Sequence, residues 1–200
     1  MVSRFHYAHA RLFSLLGVLL FASLTLAGCT PKDTVQLLYT PVTPSVIPAP
    51  TAPRVAVVLF EDKRPNKDAI GIKRNGTAFL PNSLVTEWVS RALADEIGRM
   101  GPQVSYAPSA QLAQSARPDY IVTGAVEEVW LKEVSTATYT STVQITVSLA
   151  NRAGKVFSQT LSSTQEKTGI PKSGLVDSIM TDTLREVLGV AASKITESTK

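Results

Sequence analysis

Residues 139–150 read YTSTVQITVSLA and alternate between two kinds of side chain. The first kind, apolar or small, would form one face of an extended chain: Tyr139, Ser141, Val143, Ile145, Val147 and Leu149. Successive side chains of a strand point to opposite faces of its sheet, and antiparallel sheets often bury one face only. The stretch therefore predicts a half-buried antiparallel strand, which turns at Asn151–Gly154 and returns over residues 155–167.

Before this hairpin, the chain carries a buried strand and an amphipathic helix. Val55–Phe60 is a short, continuous apolar run, typical of a strand buried on both faces. The dipeptide Asn75–Gly76 favours a two-residue turn and predicts a hairpin. Apolar residues at helical spacing then predict a helix that has Asn82 or Ser83 as its N-cap and ends at Gly101–Pro102.

The remaining elements follow on both sides of the hairpin. A short strand over 103–106 and a short helix over 108–116 lead to a long strand over 120–134. A final helix with an apolar stripe covers 173–194. This order predicts an α+β two-layer sandwich over residues 54–200: a mostly antiparallel sheet with two main helices packed on one face. Residues 54–200 are enough to form one domain of ordinary size with a hydrophobic core.

Residues 1–28 have the features of a bacterial export signal. A short basic region precedes an uncharged apolar run, which ends in Leu26-Ala27-Gly28-Cys29. These four residues fit the lipobox pattern of bacterial lipoproteins. The pattern predicts cleavage between Gly28 and Cys29 and acylation of Cys29. The run Leu12–Gly28 is about 17 residues long, near the lower limit of a membrane span, so an uncleaved anchor is the alternative.

Acylation would make membrane lipid the first partner of Cys29. Several acyl chains hold a protein stably on a bilayer, whereas one chain holds it marginally. Thr30, and not aspartate, follows the cysteine. By the sorting rule of enteric bacteria, this predicts a lipid-anchored protein of the outer membrane that faces the periplasm.

Residues 29–53 are predicted to be the lipidated cysteine and a proline-rich tether. Six of the chain's 12 prolines lie in this segment, and such a density favours extended chain. A free tether of this length would reach on the order of 70 Å. Val35, Leu37, Leu38 and Tyr39 are too apolar for a simple spacer. We expect them to dock on the domain as an added strand, the alternative being contact with a partner.

The composition excludes several classes of site. Both histidines, His6 and His9, leave with the signal, and acylation consumes the only cysteine. Serine triads, Cys/His dyads and zinc sites need residues that the mature chain then lacks. We therefore expect no enzymatic activity, no cofactor and no metal site. A carboxylate-only or lysine-based enzyme and a metal site made of oxygen ligands are the alternatives. Cleavage removes two of the 20 basic residues and leaves 18 against 16 acidic ones. This near balance predicts no nucleic-acid partner.

Glu61, Asp62, Lys63 and Arg64 open a polar loop directly after the buried strand. Loops at the ends of buried strands often carry ligand-binding residues. A loop with charges of both signs is also typical of a solvated turn. These four residues are the candidate binding loop, and a solvated turn is the alternative.

The mature chain resembles the YajG family of uncharacterised bacterial lipoproteins. The shared features include the lipobox, the proline-rich tether, the Asp62-Lys63-Arg64 loop, residues 119–124 (DYIVTG) and residues 180–184 (MTDTL). The resemblance implies the fold and an envelope location, and it brings no catalytic residue. The layout is also similar to that of auxiliary lipoproteins of ABC-type transporters, although their expected arginine motif after the first strand does not occur here.

The lead hypothesis is a non-enzymatic, periplasm-facing lipoprotein that acts as an envelope accessory or binding module. The alternative is an auxiliary lipoprotein subunit of an ABC-type transport or secretion complex. An envelope protein partner and a homo-oligomer both stay open.

Overall fold

A computed structural model describes residues 34–42, 46–169 and 173–199. The predicted signal peptide, the cleavage site at Gly28 and the lipidation site at Cys29 lie outside them. The described strands are β1 (Thr34–Val35), β2 (Arg54–Val58), β3 (Glu61–Asp62), β4 (Gly71–Ile72), β5 (Ala78–Pro81), β6 (Gln103–Ala107), β7 (Tyr120–Glu133), β8 (Thr138–Asn151) and β9 (Gly154–Thr168). The described helices are α1 (Val85–Arg99), α2 (Ala110–Ser115) and α3 (Ser173–Ser198). None of these helices is both long enough and apolar enough to cross a membrane.

The sheet is mixed, so the expectation of a mostly antiparallel sheet was wrong. Strand β2 pairs in parallel with both β6 and β7, and β3 and β4 also run parallel to β7. Among the described strands, only β4–β5 and the meander β7–β8–β9 are antiparallel, while β1 joins β5 in parallel. The physical reason lies in the connections: α1 and α2 separate β2, β6 and β7 along the chain. A helical crossover brings the chain back to the same end of the sheet and makes successive strands parallel.

The expected combination of strands and helices is confirmed, and it surrounds one large core. Buried residues of α1 and α3 share this core with Val55 and Val57 of β2. The intervening Ala56 and Val58 form a small second cluster with Ala113 of α2. Strand β2 is therefore buried on both faces, as its continuous apolar sequence predicts.

Strand β8 follows the predicted alternation. Each odd-numbered residue from Tyr139 to Leu149 is buried, and the threonines between them are partly exposed. The predicted cap of α1 was wrong, because Leu84 occupies the N-cap position and makes no side-chain cap bond. Instead, the Asn82 side chain accepts a hydrogen bond from the Leu37 amide at 2.8 Å and donates one to Gln36 Oε1 at 2.7 Å.

Residues 34–42, which we call the N-terminal strap, pack on the domain. Strand β1 pairs with β5, and Val35 and Leu37 are buried, so the prediction of an added strand is confirmed. Farther along, the Gln103 side chain donates hydrogen bonds to the Ala49 and Pro50 carbonyls at 3.1 and 3.2 Å. The division of the chain at residue 53 stays a prediction.

Candidate binding groove

The candidate loop lies beside the middle of β7. Glu61 and Asp62 form the short strand β3, which pairs with Ala125 and Val126. The Lys63 amide continues this ladder by donating to the Val126 carbonyl at 3.0 Å. The loop is therefore attached to the sheet at the point where β7 departs from regular geometry, between Val126 and Glu128.

Arg64 holds the loop in shape from the inside. Its side chain is only 4% exposed, and it binds the Asp62 carboxylate through Nε at 2.9 Å and Nη2 at 2.8 Å. The guanidinium also donates to the Lys67 carbonyl at 3.0 Å and to the Ala69 carbonyl at 3.3 Å. A bidentate pair of this kind is strong and strictly oriented. The charges of Arg64 and Asp62 thus neutralise each other.

The pKa of Asp62 reflects this pairing. Burial alone raises the pKa of the carboxyl, but the hydrogen bonds and the positive charge of Arg64 outweigh burial and hold the pKa below its usual value. Asp62 therefore stays ionised and stays paired near neutral pH.

A β-bulge places two glutamates on the same face of the sheet. Val126 pairs with Ile145 and Glu128 pairs with Gln144, which leaves Glu127 as the extra residue between them. Glu127 accepts a hydrogen bond from Thr146 Oγ1 at 3.0 Å, and Thr146 lies on the face opposite the buried Ile145. In a regular strand, neighbouring side chains would point to opposite faces. The bulge is the reason that both carboxylates lie on the outer face.

These parts enclose a cavity of about 410 Å³, which we call the bulge groove. Its sheet side is lined by Glu127, Glu128, Trp130 and Gln144, and its loop side by Arg64 to Asn66. Neither glutamate has an ion-pair partner among the described residues. The size falls within the range of small-molecule sites. The groove therefore combines two uncompensated negative charges, an indole and two side-chain amides.

Paired hydroxyl groups cover the outer face of β8 and β9. Thr142 and Thr164 share a hydrogen bond at 3.1 Å, and Thr146 and Thr160 share one at 3.0 Å. Because these hydroxyls satisfy one another, they form a neutral surface next to the groove.

Only part of the predicted loop reaches the groove. Arg64 lines it, while Asp62 supports Arg64. Glu61 and Lys63 are exposed and do not line the groove. They form an ion pair in which Lys63 Nζ lies 3.6 Å from Glu61 Oε2. The role of these four residues in binding stays a prediction. Among the described residues, no group of three acidic, histidine or cysteine side chains could hold a metal ion.

The sequence interpretation missed Glu127, Glu128, Trp130 and Gln144. A signal was available in β7, since two consecutive glutamates between Val126 and Val129 break the period of two expected of a half-buried strand. Such a break indicates a bulge, and bulges often lie next to functional sites.

No family model matches the chain, and no curated protein sequence matches it. Several solved structures are similar to it. Protein XCC0632 from Xanthomonas campestris, described under the family model DUF330, has a TM-score of 0.59 at 12% identity and covers 82% of this chain and 95% of its own. At this identity the likeness shows the fold alone.

Two further structures are similar at lower scores. The PelC dodecamer from Paraburkholderia phytofirmans has a TM-score of 0.43 at 23% identity, with 74% of this chain and 93% of that chain covered. Lipoprotein GNA1162 from Neisseria meningitidis has a TM-score of 0.39 at 14% identity, with 72% and 99% covered. The structural neighbours thus include a DUF330 protein and bacterial lipoproteins, and the resemblance to the YajG family stays a prediction.

Proposed function

We propose that the protein is a lipid-anchored, periplasm-facing protein of the bacterial outer membrane that works as a binding module and not as an enzyme. The lipobox at Leu26–Cys29 supports the anchor. The observation that carries the binding function is the bulge groove, in which Glu127 and Glu128 lie beside Trp130 without a compensating cation among the described residues.

The ligand class follows from these side chains. Two carboxylates attract a positive charge, and an indole attracts a cation placed over its ring. Arg64 does not oppose this attraction, because Asp62 neutralises its charge. The side-chain amides of Asn66 and Gln144 line the groove and can form hydrogen bonds with polar groups of the ligand beside its ammonium group. We therefore assign an organic ammonium group as the part of the ligand that the groove recognises.

Titration calorimetry tests this assignment on the full-length protein in maltoside micelles. Choline serves as the cationic probe, and 3,3-dimethyl-1-butanol is its neutral counterpart of the same shape. We expect saturable binding of choline alone, lost in Glu127→Gln/Glu128→Gln and kept in Glu61→Gln, which removes an exposed carboxylate outside the groove. Equal binding of both probes, no binding of choline, or binding that survives the double substitution would contradict the assignment.

The anchor is tested separately in cells. Labelled palmitate should enter the wild-type protein and not Cys29→Ala, and the labelled protein should sediment with outer-membrane markers. A protein without label would remove the lipid anchor from the proposal. Labelled protein in the inner-membrane fraction would keep the lipid anchor but assign it to the inner membrane.

A second candidate function, an auxiliary subunit of a transport or secretion complex, is favoured by strand β9. This strand is 15 residues long and pairs only with β8 in the part of the chain that the structure describes. A long strand with one free edge can accept a strand from a partner. In-cell crosslinking followed by purification should then recover a transport or secretion subunit in a constant ratio. Recovery of this protein alone would contradict that function.

A further inference from the structure

The N-terminal strap is hydrogen-bonded to the domain at several points between Gln36 and Thr40. Its Gln36 amide donates to Asp177 of α3 at 3.0 Å, and its Leu37 amide donates to Asn82 at 2.8 Å. Thr181 of α3 donates to the Leu38 carbonyl at 3.0 Å. The β1–β5 ladder and the burial of the Val35 and Leu37 side chains add to these bonds. The domain therefore holds its own N-terminal segment from residue 34 onward.

This attachment shortens the chain between the domain and the proposed anchor. Four residues lie between Cys29 and Thr34, so five residue-to-residue steps join them. Even fully extended chain spans at most about 3.6 Å per step. The lipidated residue is thus at most about 18 Å from the start of β1, whatever path the chain takes. A free tether to residue 53 would have allowed on the order of 70 Å.

One end of the sheet surrounds the start of β1. Thr34 pairs with Leu80, next to the β4–β5 hairpin, whose turn comprises residues 73–77. The Arg74 amide donates to Glu133 Oε2 at 3.2 Å, which places the hairpin beside the β7–β8 turn at residues 134–137. We call these two turns, with the start of β1, the anchor end.

The anchor end exposes side chains that suit a membrane surface. Ile72, Leu80 and Val134 are 40%, 45% and 48% exposed. Arg74 and Lys132 are exposed cations close to them, with Glu133 offsetting one charge. Apolar side chains enter the boundary between headgroups and acyl chains, and cations attract anionic headgroups.

We propose that the anchor end lies on an anionic phospholipid surface, so that the domain stands in one orientation close to the bilayer and does not move on a long tether. This inference rests on the lipidation of Cys29 in the proposed function. It also places the β8–β9 turn at Asn151–Gly154 far from the membrane, since the 14 residues of β8 span about 45 Å.

The test is possible because the chain has a single cysteine, Cys29. Lipidation consumes Cys29, so one introduced cysteine carries the only free thiol. Asn75→Cys in the hairpin turn and Ala153→Cys in the β8–β9 turn each receive a fluorophore. The full chain is lipidated in cells and reconstituted in vesicles of phosphatidylethanolamine and phosphatidylglycerol. Lipids with a quencher on the headgroup then report contact.

We expect quenching at position 75 and none at position 153. The exchange Arg74→Glu/Lys132→Glu should abolish quenching at position 75, whereas Arg152→Glu at the opposite turn should leave it unchanged. Equal quenching at both positions, or none at position 75, overturns the orientation. Intact mass separates this result from the proposed function, because a chain without acyl mass disproves lipidation itself.

Discussion

The Tyr39 hydroxyl donates a hydrogen bond to the carboxylate of Glu96 and thereby joins the N-terminal strap to helix α1. Glu96 is 1% exposed, and its other oxygen binds Arg99. The Arg185 guanidinium of α3 lies 5.9 Å from the centre of the Tyr39 ring. Burial raises the pKa of Tyr39, although the positive charges of Arg185 and Arg99 act against this rise. A buried carboxylate depends on such partners, because it loses its water on folding.

Tyr39→Phe should weaken the attachment of the strap. The ring stays, but one oxygen of the buried Glu96 loses its donor, which costs about 2 kcal/mol of unfolding free energy for a bond to a charged group. Urea denaturation measures this loss, and amide exchange of the strap should accelerate. Tyr106→Phe is the matched control, since no hydroxyl bond of Tyr106 is seen among the described residues. Equal effects of the two substitutions would contradict the expectation.

Arg64→Ala should destabilise the domain by about 3 kcal/mol, since removal of one partner leaves the other charge of a largely buried pair uncompensated. It also leaves the Lys67 and Ala69 carbonyls without these donors. Lys63→Ala, at an exposed neighbour in the same loop, should change stability little. Denaturant unfolding of both variants decides the matter, and a small effect of Arg64→Ala would show that the guanidinium is not what holds the loop.

Stability should fall on acidification because of Asp62 and Asp182. Burial raises the pKa of each carboxyl, but hydrogen bonds from Arg64 to Asp62, and from Lys167 and Arg185 to Asp182, outweigh it, so each pKa lies below the ordinary 3.8. The unfolded chain then binds protons more readily than the folded one. The contribution is complete above the unfolded pKa and is lost as pH falls through the folded pKa.

Melting temperatures between about pH 2 and pH 6 measure this dependence. The variants Asp62→Asn and Asp182→Asn should each flatten the acid side of the profile. Asp68→Asn, at an exposed position of the same loop, should leave the profile unchanged. If the melting temperatures of all three variants depended on pH in the same way, Asp62 and Asp182 would be excluded as the cause of the acid destabilisation.

Two glycine substitutions should shift the melting temperature in opposite directions. A Cβ atom at Gly124 would lie 2.4 Å from the Thr146 carbonyl oxygen and 2.6 Å from the Phe60 ring, so Gly124→Ala forces β7 and β8 apart. A Cβ at Gly189, inside α3, meets nothing within 4 Å, and alanine there should stabilise by up to about 1 kcal/mol through its helix propensity. A lower melting temperature in both variants would contradict the open space at Gly189.

The candidate site shows where local sequence patterns stop being informative. The loop at residues 61–64 was found because abrupt polarity after an apolar run is a local signal. Its neighbour across the groove, Trp130, lies more than 60 residues later, and only the parallel pairing of β3 with β7 brings the two together. Arg64 illustrates the same point: its sequence context predicted a binding loop or a solvated turn and gave no sign of its burial, which Asp62 and two loop carbonyls compensate.

The sequence by itself determined the β8–β9 hairpin, the buried strand β2, the helices and the docking of the strap, because periodicity, turn residues and apolar content act over a few residues. The tertiary structure alone decided which strands run parallel, that Asn82 binds the strap and does not cap α1, and that Glu127 and Glu128 share one face. Each of these depends on hydrogen bonds between residues far apart in the chain. Their free energy is realised only after the sheet has formed, so local patterns do not determine them. The consecutive glutamates of β7 indicate a bulge, but only the pairing with β8 fixes it.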